Sequence, residues 1–574
     1  GQGETLVTGI RVSEEIITDR TQVPEWVDPR EARLFETTPR ELHEMKVAAI
    51  FDEFTTASYR PECELITFSP DDWPAVLADR QPDFLMVESA WKGNDKTWEK
   101  KIVKYGTNTW EDLDALLDWC RLNNVPTVFW NKEDPIHYDR FIETAKRFDF
   151  VYTTDANILE NYKRDCGHDR VGALPFAAQP KEHNPIRLPG TREPYACFAG
   201  SYYANRHESR RIDMDRLFAA ADKYGLVIYD RNYEMNQRGE TDQLQFPEQF
   251  RQSIRGSLKY NQIAKAYKGF KVMLNVNSVN DSPTMFSRRV FEGLACATPV
   301  VSTRSVGVDA MLGDYVFLDD GESDLDETFR RLMTDDSFYE DIAMRGMRHV
   351  LTYHTYTQRL AKIVQDVGIP YRVDHEKIAV VAFIKSREEA ERVVAQFEAQ
   401  NYEHKHLMMF LDKFEDHIDV YNTYNTPSIS TYMRSYLTHY TSFTEMVESY
   451  DWVAHLKSDD YYGPNYLSDY LLAARYAEAD VLTKEDYYTY DGQLVKQDHD
   501  ESYRYVFDAT PSRSIVQPSA LRFYTVEEAL HIFEADESLN ELARSGKRIF
   551  SVDPYQYVKA GAAMDEADLQ EVTL

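Results

Sequence analysis

The sequence predicts an α/β protein built from successive doubly wound parallel sheets, and three observations point there. From Met45 onward the short apolar runs KVAAI, ELITF, DFLMVES, TVFWNKED, FVYTTD and VGALPF are separated by helical stretches such as WEDLDALLDWCRLNNV. Strand and helix alternating in this way build a parallel sheet. A second alternating series begins near Tyr195 with ACFAGSYYANRHESRR and runs through GLVIYDRNY, FKVMLNVNSV, TPVVST and YVFLDDG. A third follows the linker IPYRVDHEK, where IAVVAFIKSREEAERVVAQFEAQNYEHKHLMMFLD reads as strand, helix and strand.

These series divide the chain. Residues 1–44 are polar and acidic, carry Pro24, Pro29 and Pro39, and are expected to form an extension. Residues 45–190 and 191–372 are expected to be two Rossmann-like units, the second closed by helices over 337–368, and residues 376–574 a further α/β domain. Ligands of doubly wound sheets bind beyond the carboxyl ends of the strands. Glu88, Asn131, Lys132, Glu133, Asp134, His137 and Asp155 are therefore candidates by position.

Composition narrows the function. A chain of 574 residues exceeds one core, and at roughly 150 residues per domain it holds about three or four. The formal net charge of −32 argues against broad binding to nucleic acid or an anionic membrane, since both need a cationic surface. An anionic ligand then requires a local basic pocket. The five cysteines, Cys63, Cys120, Cys166, Cys197 and Cys296, show no zinc-type spacing and fit a reducing cytoplasm. No run approaches the roughly 18 apolar residues of a membrane helix, and the start GQGETLVTGIRVSEEI lacks the regions of a signal peptide. Its initial Gly in place of Met suggests trimming or processing.

The most informative stretch is DSPTMFSRRVFEGLACATPVVST, Asp281 to Thr303. Ser282 is expected to cap a helix whose first turn holds Pro283. The free amides at Thr284 and Met285 would then face a diphosphate, with Arg288 and Arg289 one turn on. Glu292, eight residues past Thr284, is placed to accept hydrogen bonds from ribose hydroxyls. Val290, Phe291 and Leu294 serve packing. Gly200 ends a strand ahead of Arg206, Arg210 and Arg211, which suits close approach to phosphate. In the last domain, Asp459 and Asp460 follow a strand and precede a Pro-started helix; a bridging divalent ion or a simple capped turn both account for them.

Residues 45–370 resemble the CgeB-like, spore-maturation-type glycosyltransferases. The segments that carry the resemblance are VESAWKGN (Val87 to Asn94), VFWNKEDPIHYDRF (Val128 to Phe141), LPFAAQP (Leu174 to Pro180), CFAGSYYANRHESRR (Cys197 to Arg211) and NVNSVNDSPTMFSRRVFEGLACATPVV (Asn275 to Val301). The resemblance implies a GT-B fold of two facing Rossmann-like units and a nucleoside diphosphate sugar donor. Related enzymes carry two donor-site glutamates eight residues apart; here Glu292 keeps the second position and Thr284 occupies the first. Residues 376–560 resemble a compact GT-A domain of the family-two glycosyltransferases through IKSRE, HLKSDDYYGPNYL and ARSGKRIFSVDPYQYV. That domain departs from the pattern at Lys457 and Ser458, and the nearest acidic text for a base is EADE, Glu534 to Glu537.

The expected reaction is transfer of a sugar to a cell-envelope glycan, polymer or protein acceptor. Gly200, Arg206, Thr284, Arg288, Arg289 and Glu292 are the expected donor-binding residues, with Lys259 a weaker one, and Glu133, Asp134 or His137 is expected to act on the acceptor hydroxyl. The GT-B module should need no cofactor, whereas Mg²⁺ or Mn²⁺ is a candidate at Asp459 and Asp460. A non-catalytic sugar-binding or scaffold protein is the alternative, and a nucleic-acid glycosyltransferase is disfavoured by the acidic charge.

Overall fold

The structure, a computed structural model, describes residues 38–106, 110–202, 208–437, 440 and 442–574. The chain forms two compact units, one of residues up to 184 with 191–374, the other of 185–190 with 375–574.

The first unit contains two parallel sheets. In the first half the strand order is Glu64–Ile66, Lys46–Ile50, Phe84–Glu88, Thr127–Asn131, Phe150–Thr153 and Val171–Ala173, every pair parallel. The four central strands are nearly continuous runs of buried apolar residues because helices cover both faces. The order reverses between Lys46–Ile50 and Phe84–Glu88, which opens a crevice beyond Ile50 and Glu88.

The second half repeats the plan. Its order is Val316–Asp319, Val300–Thr303, Phe270–Asn275, Glu193–Gly200 and Leu226–Asp230, again all parallel. The reversal here falls between Glu193–Gly200 and Phe270–Asn275. The helix Asp336–Tyr353 closes this half, and Tyr356–Val367 returns to the first. There Tyr356 packs on Tyr59 with ring centroids 5.1 Å apart, Tyr152 Oη donates to Asp366 at 2.7 Å, and Arg359 donates to the Phe176 carbonyl at 2.7 Å.

The second unit has an eight-stranded mixed sheet. Ile429–Met433, Lys405–Leu411, Ile378–Ile384 and Trp452–His455 run parallel, and Ser514–Val516, Val481–Thr483, Ile549–Ser551 and Arg504–Val506 extend it in mixed directions. Beside it Tyr462, Tyr466, Tyr470 and Tyr557 form a buried aromatic cluster, with Tyr462 and Tyr466 centroids 4.8 Å apart. These tyrosines pack the core rather than offering faces to a sugar. No helix among the described residues is long and apolar enough to cross a membrane.

Candidate functional site: an arginine-lined cavity at the second switch point

Beyond Gly200 and Asn275, where the second sheet reverses order, lies a cavity of about 310 Å³. Its floor is the strand ends: Gly200 and Ser201 on one side, Asn275 and Asn277 on the other. A Cβ on Gly200 would stand 2.8 Å from the Phe198 ring, so glycine keeps this floor open. Asn275 and Asn277 are fixed by hydrogen bonds to Ser302 Oγ, each 3.0 Å. The walls supply Arg210, Arg211, Arg231 and Arg289, and no carboxylate is among the described lining residues. Burial pushes the Arg289 guanidinium below its ordinary value, and the neighbouring Arg231 and Arg288 charges add to this. Four cations lining one cavity, with no carboxylate among the described lining residues, make a site for a polyanion in a protein of charge −32. Arg206 lies outside the described residues. Lys259, the weaker donor candidate, is exposed and caps a short 3-10 turn outside this lining. Sequence reasoning missed Arg231 altogether. Its signal was positional, since it follows the strand that pairs in register with Gly200.

The segment ahead of this cavity corrects the expected helix start. The helix spans Arg289–Ala295, and Ser282 does not cap it. Ser282 Oγ nonetheless accepts from the amides of Thr284 (3.3 Å) and Met285 (2.9 Å), so neither amide is open to a phosphate. The same hydroxyl donates to Asp155 in the first half at 2.6 Å. Thr284 Oγ1 donates to the Thr154 carbonyl at 2.7 Å and accepts from Ala156 N at 2.9 Å. Thr284, at the position where the resemblance implies a glutamate, thus joins the two halves instead of facing the cavity. These tertiary bonds hold residues 282–285 out of helical geometry.

Glu292 is 2% exposed and is not among the cavity's lining residues. Its carboxylate accepts from Tyr267 Oη, lies 3.4 Å from His183 Nε2 and 3.8 Å from Arg288. The Arg288 guanidinium in turn lies 3.7 Å over the Phe54 ring of the first half. Glu292 therefore sits buried between Tyr267, His183 and Arg288, and its Oε1 has no hydrogen-bond partner among the described residues.

The acceptor-side candidates separate. Asp134 is fully buried, accepting from Thr153 Oγ1 at 2.6 Å and Tyr162 Oη at 2.5 Å. Burial pushes its carboxyl up to about 7. A sealed group cannot meet an incoming hydroxyl, so Asp134 is structural, a correction to its expected role. Glu133 and His137 are half-buried; His137 stands edge-on to Trp91 with ring centroids 5.2 Å apart. The stronger constellation lies at the first switch point. Lys132 Nζ bonds Asp52 and sits 3.4 Å from Glu88, and Glu88 accepts from Asp52 N at 2.8 Å. Glu88 is fully buried, and burial pushes its carboxyl up to about 8 against the opposing pull of Lys132.

In the second unit, Asp459 and Asp460 lead into the short strand Tyr461–Tyr462, not directly into the helix, which begins at Tyr466. Asp460 is 2% exposed and accepts from Tyr557 Oη at 2.6 Å and Ala560 N at 2.9 Å. Asp459 points outward, 3.7 Å from Arg392. The two carboxylates do not converge, and no cluster of three potential metal-ligating His, Cys, Asp or Glu residues occurs among the described residues.

Residues 211–365, which contain Arg211, Arg231, Arg289 and Glu292, match the glycosyl transferase-like family. The match is confined to this part of the first unit. Among solved structures, similarity extends to HepE of Anabaena in complex with UDP and glucose, at 12% identity over 56% of this chain and 99% of that one, TM-score 0.35. It extends also to a glycosyltransferase of Rickettsia africae, at 9% identity over 62% and 93%, TM-score 0.35, and to sucrose-phosphate synthase of Thermosynechococcus elongatus, at 12% over 56% and 98%, TM-score 0.35. No curated protein matches the sequence.

Proposed function

We propose that the protein transfers a sugar from a nucleoside diphosphate sugar to a hydroxyl of a glycan, polymer or protein acceptor, and that the donor's diphosphate occupies the arginine-lined cavity. The observation that carries this is the four-arginine lining at a switch point, with no carboxylate among its described residues; three of the arginines, Arg211, Arg231 and Arg289, lie inside the region matching the glycosyl transferase-like family. Cleaving the bond between the anomeric carbon and phosphate leaves negative charge on the departing diphosphate, and preorganised cations stabilise it. Arg210, Arg211, Arg231 and Arg289 supply that charge without a metal. The CgeB-like assignment is supported by two of its segments, Cys197 to Arg211 and Asn275 to Val301, which together supply most of this lining. For the second unit we infer a GT-A-like domain that has lost metal-dependent transfer, supported by its α/β sheet and by the engagement of Asp460 with Tyr557. The five free thiols fit a cytoplasmic setting.

The test is incubation of the purified full chain, with chelator present, with a panel of nucleoside diphosphate sugars, read by mass spectrometry for released nucleotide and transferred sugar. Release or transfer that falls in Arg289→Ala supports the proposal. Tight nucleotide binding with every donor left intact identifies a sugar-nucleotide-binding protein instead.

A further inference from the structure

A second and larger cavity, about 1,020 Å³, lies at the switch point of the first sheet. One wall is the exposed face of the helix Glu53–Tyr59, including Glu53 and Thr56, followed by Arg60; the other is the turn that carries Lys92, Asp95 and Lys96. That turn is unusual. Asn94, Asp95 and Lys96 have φ of 46°, 56° and 69°, three consecutive non-glycine residues in the left-handed region, which side chains with a Cβ disfavour. The conformation is fixed from beneath. Asn94 Nδ2 donates to the carbonyls of Ala49 (2.8 Å) and Phe68 (2.9 Å), and its Oδ1 accepts from Phe51 N at 3.2 Å. Trp98, fully buried, donates to the same Phe68 carbonyl at 3.1 Å. Backbone strain that the surroundings over-determine is a mark of functional surfaces, and here it presents Asp95 and Lys96 to the cavity.

The chemistry of the lining selects a ligand. It holds five carboxylates and three cations, interspersed with Thr, Ser and Asn side chains, while Phe51 and Phe68 are buried, 1% and 5% exposed. Interspersed acceptors and donors suit hydroxyl groups, which both donate and accept. The excess of carboxylates repels an anion, and the Phe51 and Phe68 rings are largely turned away from solvent. The cavity also adjoins the donor half. Phe54, on the same helix outside the lining, is covered by Arg288, and Glu182 of the lining precedes His183, which contacts Glu292.

We propose that this cavity is the acceptor site and that it takes a neutral, polyhydroxylated chain, with Asp95 and Lys96 on the left-handed turn as specificity-determining contacts. The proposal rests on the glycosyltransferase function above, and the experiment separates the two. The full chain is titrated with short neutral malto- and chito-oligosaccharides and with oligogalacturonate as an anionic counterpart, by saturation-transfer NMR, while nucleoside diphosphate affinity is followed by calorimetry. Two variants are compared: Asp95→Ala with Lys96→Ala, which removes the contacts, and Thr56→Arg, which projects a long cationic side chain into the cavity and leaves the turn intact. At least one neutral series binds; the double variant weakens it about tenfold, as loss of a hydrogen bond to a charged group does, Thr56→Arg abolishes it, and nucleotide affinity is unchanged in both. Absence of neutral binding, equal or tighter oligogalacturonate binding, or indifference of neutral binding to both variants overturns the proposal. Loss of nucleotide binding in Arg289→Ala is a separate readout, bearing on the donor cavity alone.

Discussion

Ser282 Oγ donates to the Asp155 carboxylate at 2.6 Å, joining the loop beside the arginine cavity to the end of a strand in the other half. Both residues are buried, at 0% and 3% exposure, so the bond is shielded from water. The same oxygen serves two backbone amides, and one hydroxyl thus fixes both the loop's shape and its attachment.

Ser282→Ala should accordingly destabilise the protein by about 1–3 kcal/mol, because it leaves the Thr284 and Met285 amides without their acceptor and Asp155 Oδ1 with Asn157 N alone. Urea unfolding of the full chain, followed by tryptophan fluorescence, measures this. A change within experimental scatter would show that the loop is held by Thr284 and packing alone.

Glu88 gives a pH signature. Its carboxyl is raised from 4.5 to about 8, so the folded protein keeps a proton that the unfolded chain releases above about 4.5. The stabilisation is full below that point and is lost as pH rises to about 8, by about 1.4 kcal/mol per pH unit. Glu88→Gln, which stays neutral, should flatten the dependence of urea midpoint on pH across this range. An unaltered slope would place the titration on another group.

The alternation of apolar runs made the sheets legible, since a strand covered on both faces must be apolar throughout: Val47–Ile50, Leu85–Val87 and Val128–Trp130 are buried without exception. Ser282 was legible in part. Its hydroxyl does accept from amides two and three residues on, as a cap would, but its bond to Asp155 lies 127 positions away and holds the chain out of a helix. The Asp52–Lys132 pair spans 80 positions and exists only once two strands lie parallel. Asp134 looked reachable because it follows a strand; that Thr153 and Tyr162 turn it inward depends on packing that no spacing encodes.

For Asp460, substitution by Ala should lower stability rather than alter metal dependence. The change takes the carboxylate acceptor from the buried Tyr557 Oη, about 1–3 kcal/mol, while Ala560 N lies at an exposed residue where water replaces the lost partner. Differential scanning calorimetry with and without Mg²⁺ checks it. A Mg²⁺-dependent rise in Tm that vanishes in the variant would instead make Asp460 a ligand.

Gly200→Ala should close the floor of the donor cavity. The added methyl meets the Phe198 ring at 2.8 Å, and overpacking of this kind costs about 1–3 kcal/mol. Both Tm and nucleotide affinity should fall; retention of full affinity would mean that the ring yields without disturbing the cavity.

The most direct measurement is calorimetric titration of the full-length protein and its Arg289→Ala and Arg231→Ala variants with nucleoside diphosphates in the presence of chelator. A diphosphate held by these guanidiniums binds the wild type without metal, and each variant weakens it by about tenfold or more, the effect of one charge-assisted hydrogen bond. Undiminished affinity in both variants, or binding only when a divalent ion is restored, would contradict the assignment of this cavity to the donor diphosphate.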